Sequence, residues 1–262
     1  MKLYVLTDNT PCSSNFAAEH GLSLYLESGT QRVLFDMGET SLFAENAKKL
    51  QVDLDAVDFA VVSHGHSDHG GGLPHFLQQN SHAPVYLAEQ AFVPCFNAEK
   101  EYIGLDAALR TEKRLCFVRD ICMPAKGFEL RTCNEKERPH GSAAYGLQIK
   151  QDGKLLPDTF LHEQYLLIEE NGKRILISGC SHKGILNIME WYHPDVLIGG
   201  FHFMKLDPAA DAVLLRGYAE ALLKYNCEYY TCHCTGLAQY QLLKTVMGDA
   251  LHALTAGDVL TV

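Results

Sequence analysis

The segment His64–His69 constrains this chain more than any other part of its sequence. It reads His-Gly-His-Ser-Asp-His and directly follows an apolar run, Asp58–Ser63, which we interpret as a buried strand. Three histidines and one aspartate within six residues at a strand end are typical of a metal site, whereas a single histidine is usually an ordinary core or surface residue. The chain is therefore expected to be built around metal-binding side chains.

The spacing of these side chains predicts two neighbouring ions. Alternate residues of an extended segment point the same way, so His64 and His66 are expected to bind one ion from the strand end. The chain then turns, which lets Asp68 and His69 face a second ion. Imidazole binds Zn, Fe, Mn or Ni, and a carboxylate is a harder ligand that can also hold an attacking water.

Composition and charge argue against several other classes of protein. The formal net charge is −10, whereas binding to a nucleic-acid backbone calls for clustered Lys and Arg. No run approaches the roughly 18 apolar residues of a membrane helix, and Met1–Asp8 becomes charged too early for a secretion signal. The nine cysteines lack the spacing of a disulfide scaffold. We expect a cytoplasmic protein with a small-molecule substrate and no nucleic-acid or membrane partner; a homo-oligomer is compatible with the sequence.

Apolar runs and turn signals predict strands and helices in two batches. In the first batch a helix is predicted to end near Leu50, and in the second batch a hairpin turns at Asn171–Gly172. The stretch 97–160 has poor periodicity and is interpreted as an irregular insertion of loops and short strands. Two packed sheets with helices outside, in a single domain over 1–262, fit this order. The other predicted elements are strands at Leu3–Leu6, Leu22–Leu26, Val33–Phe35, Tyr165–Glu169, Arg174–Ile177, Val196–Ile198 and Tyr229–Cys232, and helices at Pro208–Tyr225 and Leu237–Val246.

Further motifs accompany the histidine-rich segment along nearly the whole chain. They are Leu6–Thr10, Glu19–Ser23, Phe35–Gly38, Gly179–His182, Gly199–His202 and His233–Gly236. Together they resemble the metallo-β-lactamase superfamily, and within it proteins named 7,8-dihydropterin-6-methyl-(ribofuranosyl)aminobenzene-phosphate synthase or metal-dependent hydrolase. The resemblance implies an α+β fold, a four-layer αβ/βα sandwich with the site at one edge of the two sheets. It also gives Asp36 a role in supporting the metal ligands.

The resemblance also suggests the remaining metal ligands. His233 matches the superfamily's C-terminal histidine, although Cys232 stands where a glycine is expected. Cys180 lies where many members have a bridging aspartate, and either a metal-bound thiolate or a plain buried thiol fits that position. His182 and His162 both compete to complete the first metal site.

Several other residues are candidates for contacts with a substrate. His202 follows the apolar run Val196–Phe201 and is expected to enter the cleft as a proton donor or phosphate contact; a hydrogen-bonded turn histidine is the alternative. His20 has the same two interpretations. Lys183 and Lys205 each follow a candidate site histidine and could meet an anionic substrate; an ordinary exposed lysine is the alternative.

These residues predict a hydrolase that uses a metal-bound hydroxide. Asp68 would orient that hydroxide and take its proton, and His202 would protonate the leaving group. The expected cofactor is two divalent metal ions, zinc first, with manganese or iron as alternatives. A small anionic substrate resembling a phosphoester is favoured over lactones and thioesters. The competing hypotheses are an iron-loaded redox enzyme of the same fold and a sensor that binds a nucleotide at the metal site without turnover.

Overall fold

The computed structural model describes residues 1–142 and 144–262, so one position of the stretch 97–160 lies outside the described residues. The strands are β1 (Lys2–Thr7), β2 (Ser23–Ser28), β3 (Gln31–Phe35), β4 (Phe59–Val61), β5 (Val85–Ala88), β6 (Cys95–Phe96), β7 (Leu115–Val118), β8 (Ile121–Ala125), β9 (Phe128–Arg131), β10 (Gln148–Gln151), β11 (Lys154–Pro157), β12 (Tyr165–Glu170), β13 (Lys173–Ile177), β14 (Val196–Ile198), β15 (Glu228–Thr231), β16 (Leu251–Ala253) and β17 (Val259–Thr261). The α-helices are α1 (Leu42–Lys49), α2 (Ser67–Gly70), α3 (Leu73–Gln79), α4 (Ile185–Tyr192), α5 (Ala212–Leu222) and α6 (Leu237–Met247), and 3₁₀ turns cover Leu54–Ala56, Ala107–Thr111, His233–Thr235 and Gly248–Ala250.

Two seven-stranded sheets form the centre of the molecule. Their strand orders are β17-β1-β2-β3-β4-β5-β7 and β16-β15-β14-β13-β12-β9-β8. Each sheet has an antiparallel part, β17-β1-β2-β3 in the first and β8-β9-β12-β13 in the second. Each also has a parallel part, β3-β4-β5-β7 and β13-β14-β15-β16. A small third sheet has the order β11-β10-β6.

Alternation of side chains along the strands separates the core into three apolar clusters. Val33 and Phe35 of β3 face the second sheet, where they pack in one cluster with Ile175 and Ile177 of β13. Leu34 points the other way, towards α1 and α3. In the second sheet the alternate residues pack against α4, α5 and α6. The result is helices, sheet, sheet, helices, which confirms the predicted four-layer αβ/βα sandwich.

Most predicted elements are present with small shifts at their ends. The strand predicted over Asp58–Ser63 is β4, and the hairpin around Asn171–Gly172 is formed by β12 and β13. The helix predicted from Pro208 begins later, at Ala212. The reason is local: the Asp207 carboxylate accepts hydrogen bonds from the backbone N–H groups of residues 209 and 210, which holds a turn there.

The stretch 97–160 contributes strands to all three sheets. β7 extends the first large sheet, β8 and β9 end the second, and β10 with β11 pairs with β6. β8 and β11 are half-buried or exposed along their length, so they lack the clean apolar alternation of a core strand. That explains why the stretch looks irregular in sequence. Among the described residues, no helix is both long and apolar enough to cross a membrane.

Candidate metal centre

At one edge of the two sheets, four strands are followed by a loop that carries a polar side chain. Asp36 directly follows β3, and His64 follows β4 by three positions. Cys180 and His233 follow β13 and β15 in the second sheet. Since the carboxyl ends of neighbouring parallel strands lie side by side, these four residues meet although they are far apart in sequence.

The histidine-rich segment is tightly surrounded by backbone. His66 forms an isolated bridge with Gly104, and α2 begins at the next residue. A Cβ atom at position 65 would collide with the carbonyl oxygen of Ala91. Glycine is therefore needed between the two histidines because another chain segment passes directly beside it.

A first group of ligand atoms comes from His64, His66 and His182. One ligand atom from each residue lies within 4.8 Å of the others, and all three side chains are buried. The Nε2 atoms of His64 and His182 are 3.2 Å apart. Burial, together with the neighbouring histidines, holds the pKa of His64 and His182 well below the usual value, so both rings are neutral and have a lone pair to donate.

A second group adjoins the first and contains Asp68, His69 and His233. His233 Nε2 lies 3.1 Å from Asp68 Oδ2 and 3.2 Å from His69 Nε2. Cys180 Sγ is 3.2 Å from the same nitrogen of His69. His20, which is largely exposed, reaches the rim of this group with its Nε2 3.4 Å from Asp68 Oδ2.

One buried carboxylate orients a histidine of each group. Asp36 Oδ2 accepts a hydrogen bond from His69 Nδ1 at 2.7 Å and another from Ser63 Oγ at 2.7 Å. Ser63 Oγ in turn lies 2.9 Å from His64 Nδ1, which donates to it because the hydroxyl proton is already used on Asp36. Both rings are thereby fixed with the proton on Nδ1 and the Nε2 lone pair directed into the centre.

His233 is oriented by residues that follow the first strand. Its backbone N–H donates to Asp8 Oδ1 at 2.7 Å, and its Nδ1 donates to Asn9 Oδ1 at 2.7 Å. Its backbone lies in the left-handed region, with φ at +46°. Cys232, where a glycine was expected, has φ at −156°, an extended conformation that any residue adopts. The departure from glycine therefore introduces no strain.

The orientation of these rings favours a cation that both of them can bind. His69 and His233 both carry their proton on Nδ1, so their Nε2 lone pairs face each other at 3.2 Å. Two lone pairs at this distance repel unless a proton or a metal ion lies between them. Burial alone would lower the pKa of His233, but its hydrogen bond to Asp68 raises it to about 9, so without a metal ion His233 Nε2 donates to Asp68 Oδ2 at 3.1 Å. The donor set therefore fits a divalent metal ion.

Asp68 remains a carboxylate in this setting. Burial alone would raise its pKa, but the electrostatic interaction with His69 and the hydrogen bond from His233 lower it well below the usual value. Its side chain is partly exposed to the cavity. Asp68 can thus bind a cation or accept a hydrogen bond from a water, and it does not hold a proton at neutral pH.

His202 lies beside the first group. Its ring is 4.2 Å from the ring of His182, it lines the same cavity, and both of its ring nitrogens are buried without a hydrogen-bond partner. Its nitrogen also approaches the thiols of Cys180 and Cys234 within 4.8 Å. Cys234 is a functional candidate that its local sequence does not reveal, because its thiol meets Cys180 and His202 from other strand ends.

His162 lies near the first group but does not join His64 and His182. Its Nδ1 accepts a hydrogen bond from the backbone N–H of Gly65 at 3.0 Å, and its Nε2 is 2.9 Å from Asp158 Oδ2. Of the two residues that compete for the first group, the structure places His182 in it and His162 beside it. Cys180 and His182 follow the end of β13 by three and five residues, so the same loop brings both side chains to the sheet edge.

The two candidate lysines have different positions. Lys183 is completely buried, and its ammonium donates hydrogen bonds to the carbonyl oxygens of Thr132 and Glu163 and to Asn134 Oδ1. Both interpretations of Lys183, as a substrate contact and as an exposed side chain, are therefore wrong, because its side chain turns into the protein to bind these oxygens. Lys205 is exposed and lines the cavity.

A cavity of about 420 Å³ opens over both groups of ligand atoms. Asp68, His182, His202 and His233 lie at its base, and its walls include Tyr102, Tyr145 and Lys205. A volume of this size accommodates a small organic molecule. The candidate ligand side chains are thus accessible from this cavity.

The metallo-β-lactamase superfamily model matches residues 18–203, a range that includes the histidine-rich segment and His182. The chain belongs to the metallo-β-lactamase superfamily. Proteins of this superfamily typically bind metal ions, which agrees with the His, Asp and Cys groups described above.

Two proteins of Methanocaldococcus jannaschii are similar over almost their whole length. An uncharacterised protein is 29% identical, with 88% of this chain and 90% of the relative covered. The 7,8-dihydropterin-6-methyl-4-(β-D-ribofuranosyl)-aminobenzene-5′-phosphate synthase is 26% identical, with 99% of this chain and 96% of the relative covered. The crystal structure of Tm1679, a metal-dependent hydrolase of the β-lactamase superfamily, superposes with a TM-score of 0.85 at 28% identity and covers 100% of this chain and 99% of its own.

Proposed function

We propose that this chain is a metal-dependent hydrolase with two divalent ions. His64, His66 and His182 would hold the first ion, and Asp68, His69 and His233 the second, with Cys180 beside both. The observation that carries the proposal is the pair of Nε2 atoms of His69 and His233, which lie 3.2 Å apart while both Nδ1 atoms are hydrogen-bonded elsewhere, an arrangement that a divalent ion would stabilise. Zinc is the first candidate, because neutral imidazoles, a carboxylate and a thiol are ligands that it accepts.

Asp68 and His202 would have different tasks in the reaction. A bound divalent ion lowers the pKa of a coordinated water and polarises a substrate oxygen. Asp68 stays ionised, so it accepts a hydrogen bond from the attacking water and orients it. His202 has two unpartnered ring nitrogens at the base of the cavity, so it can hold a proton close to a leaving group.

The walls of the cavity favour a small anionic substrate with a ring. Lys205 supplies a positive charge at the rim, and Tyr102 and Tyr145 supply aromatic faces. Phosphoesters are the leading class, because the name of one relative contains a phosphorylated compound with aromatic rings. Lactones and thioesters are the next classes to try.

The experiment is a substrate screen with zinc- and manganese-loaded protein. Phosphomonoesters, phosphodiesters, lactones and thioesters are offered to the wild type, to Asp68→Asn and to Asp106→Asn. Asp106 is a matched control, because it is an exposed aspartate that only caps a 3₁₀ turn. We expect turnover of one class, lost about 10²- to 10⁴-fold in Asp68→Asn and retained in Asp106→Asn. Full activity of Asp68→Asn would contradict the proposal.

A redox function is the second candidate, and the group of Cys180, His202 and Cys234 favours it. Two thiols and an imidazole within 4.8 Å of one another offer soft ligands next to the metal centre. Iron in protein purified without added metal, together with a visible absorption band, would favour this function. Colourless protein containing zinc or manganese favours hydrolysis.

A further inference from the structure

A buried cluster joins His66 to three residues that have no role in the proposed hydrolysis. It consists of His66, Cys95, Asp158 and His162, whose ligand atoms lie within 4.8 Å of one another. All four side chains are buried, with Asp158 only 1% exposed. A buried carboxylate without a positive partner would be costly, so this cluster requires an explanation.

The direction of one hydrogen bond determines the proton positions in this cluster. The backbone N–H of Gly65 donates to His162 Nδ1, so that nitrogen carries no proton. A neutral imidazole then carries its proton on Nε2, and this N–H donates to Asp158 Oδ2 at 2.9 Å. The other oxygen of Asp158 accepts from the backbone N–H of Phe160 at 2.6 Å. Asp158 is thus an ionised acceptor held at both oxygens.

The same hydrogen bond argues against a third metal ion in the cluster. Two histidines, a cysteine and an aspartate at these distances are a plausible zinc ligand set. A metal ion on His162 Nε2 would, however, need the lone pair that the proton occupies. Moving that proton to Nδ1 would break the contact with Gly65 and leave its buried N–H without a partner, at a cost of about 1–3 kcal/mol.

The remaining contact of Asp158 points to His66. Asp158 Oδ2 lies 3.8 Å from His66 Nε2, which is buried and makes no hydrogen bond. The distance is longer than a hydrogen bond but short enough for a buried carboxylate to attract an N–H group. We propose that Asp158, held in place by His162, keeps the proton of His66 on Nε2 and leaves Nδ1 free to bind the first metal ion.

Asp158 is in this account a positioning residue that acts through His66. The inference rests on the proposed metal centre, since without an ion at His66 the choice of nitrogen would have no effect. It differs from the role of Asp36, which orients His64 and His69 from the opposite end of the segment. One of two buried carboxylates would then determine the ring orientation and the proton position of each histidine in the segment.

The first test measures metal affinity in variants. Asp158→Asn keeps the shape of the side chain but removes the charge, and Asp106→Asn is the matched control, because Asp106 is an exposed aspartate outside the cluster. We expect the dissociation constant of one ion to rise about 10- to 100-fold in Asp158→Asn, with the other ion and Asp106→Asn within about threefold of the wild type. An unchanged affinity in Asp158→Asn, or an equal loss in Asp106→Asn, would overturn the inference. Binding of three ions by the wild type would do so as well.

The second test needs no variant and so does not depend on the folding of Asp158→Asn. Nitrogen-15 NMR of the histidine rings in zinc-loaded wild type identifies which nitrogen carries the proton. The inference predicts Nε2–H for both His66 and His162, and Nδ1–H on His66 would contradict it while leaving the metal centre intact. If the wild type binds no divalent ion at all, the proposed function fails first and the inference fails with it.

Discussion

Asp36 and His69 form a fully buried pair, with Oδ2 of the carboxylate 2.7 Å from Nδ1 of the ring. Neither side chain is exposed, and the same oxygen also accepts the hydroxyl of Ser63. Because Ser63 passes the constraint on to His64, one carboxylate orients a histidine in each group of metal ligands. This connects the first sheet, at the end of β3, directly to the metal centre.

Replacing Asp36 by Asn should weaken the binding of both metal ions. The amide cannot accept from His69, Ser63 and the backbone at once, so the rings of His64 and His69 lose their fixed tautomer. We expect both dissociation constants to rise about 10- to 100-fold in a competition assay with a chromophoric chelator. Asp58→Asn is the control, because Asp58 is an exposed aspartate that accepts from one backbone N–H. Unaltered metal affinity in Asp36→Asn would count against the orienting role.

Removing the imidazole of His202 should reduce catalysis selectively for poor leaving groups. If His202 protonates the leaving group, His202→Ala lowers kcat about 10²-fold for an alkyl phosphoester. An ester with a nitrophenol leaving group needs little protonation, so its kcat should fall by less than about threefold. The comparison of the two substrates in one variant is the measurement. Equal losses for both would show that His202 only shapes the cavity.

Substitution of Lys205 should affect substrate binding, whereas substitution of Lys183 should affect stability. Lys205→Met removes the positive charge at the cavity rim, so we expect KM for an anionic substrate to rise about tenfold with little change in kcat. The free energy of unfolding should change by less than about 0.5 kcal/mol, since the side chain is exposed. Steady-state kinetics and urea unfolding check the two halves of this prediction. A KM that stays the same would remove Lys205 from the substrate site.

Lys183→Met should have the opposite profile. Three oxygens accept from this buried ammonium, and methionine would leave them without a donor. We expect the free energy of unfolding in urea to fall by about 3 kcal/mol. At a temperature where the variant stays folded, KM should match the wild type. A stable variant with a raised KM would mean that the ammonium reaches the substrate after all.

Much of the fold and the centre could be predicted because their signals are local. The segment His64–His69 carries its ligands within six residues, and the strands around it alternate cleanly between the two faces of a buried sheet. The predicted hairpin of β12 and β13 needs only its turn residues and its apolar runs. Local patterns of this kind are visible in a single sequence.

The parts that could not be predicted depend on contacts between distant residues. Asp158 is a single carboxylate in a loop, and nothing near it in sequence indicates that it faces His66. The hydrogen bond between Gly65 and His162 joins residues 97 positions apart. Lys183 looked like a substrate contact because a lone lysine is usually exposed, and only the three-dimensional structure reveals the oxygens that draw it inward.

The most direct test of the account is the number of divalent ions bound by the wild type, His182→Ala and His233→Ala, measured by elemental analysis after zinc reconstitution. His182 belongs to the first group of ligands and His233 to the second. The account predicts two ions in the wild type and one in each variant, with a different ion lost in each. A wild type that binds no ion, or variants that both retain two, would contradict the dinuclear metal centre on which the proposed function rests.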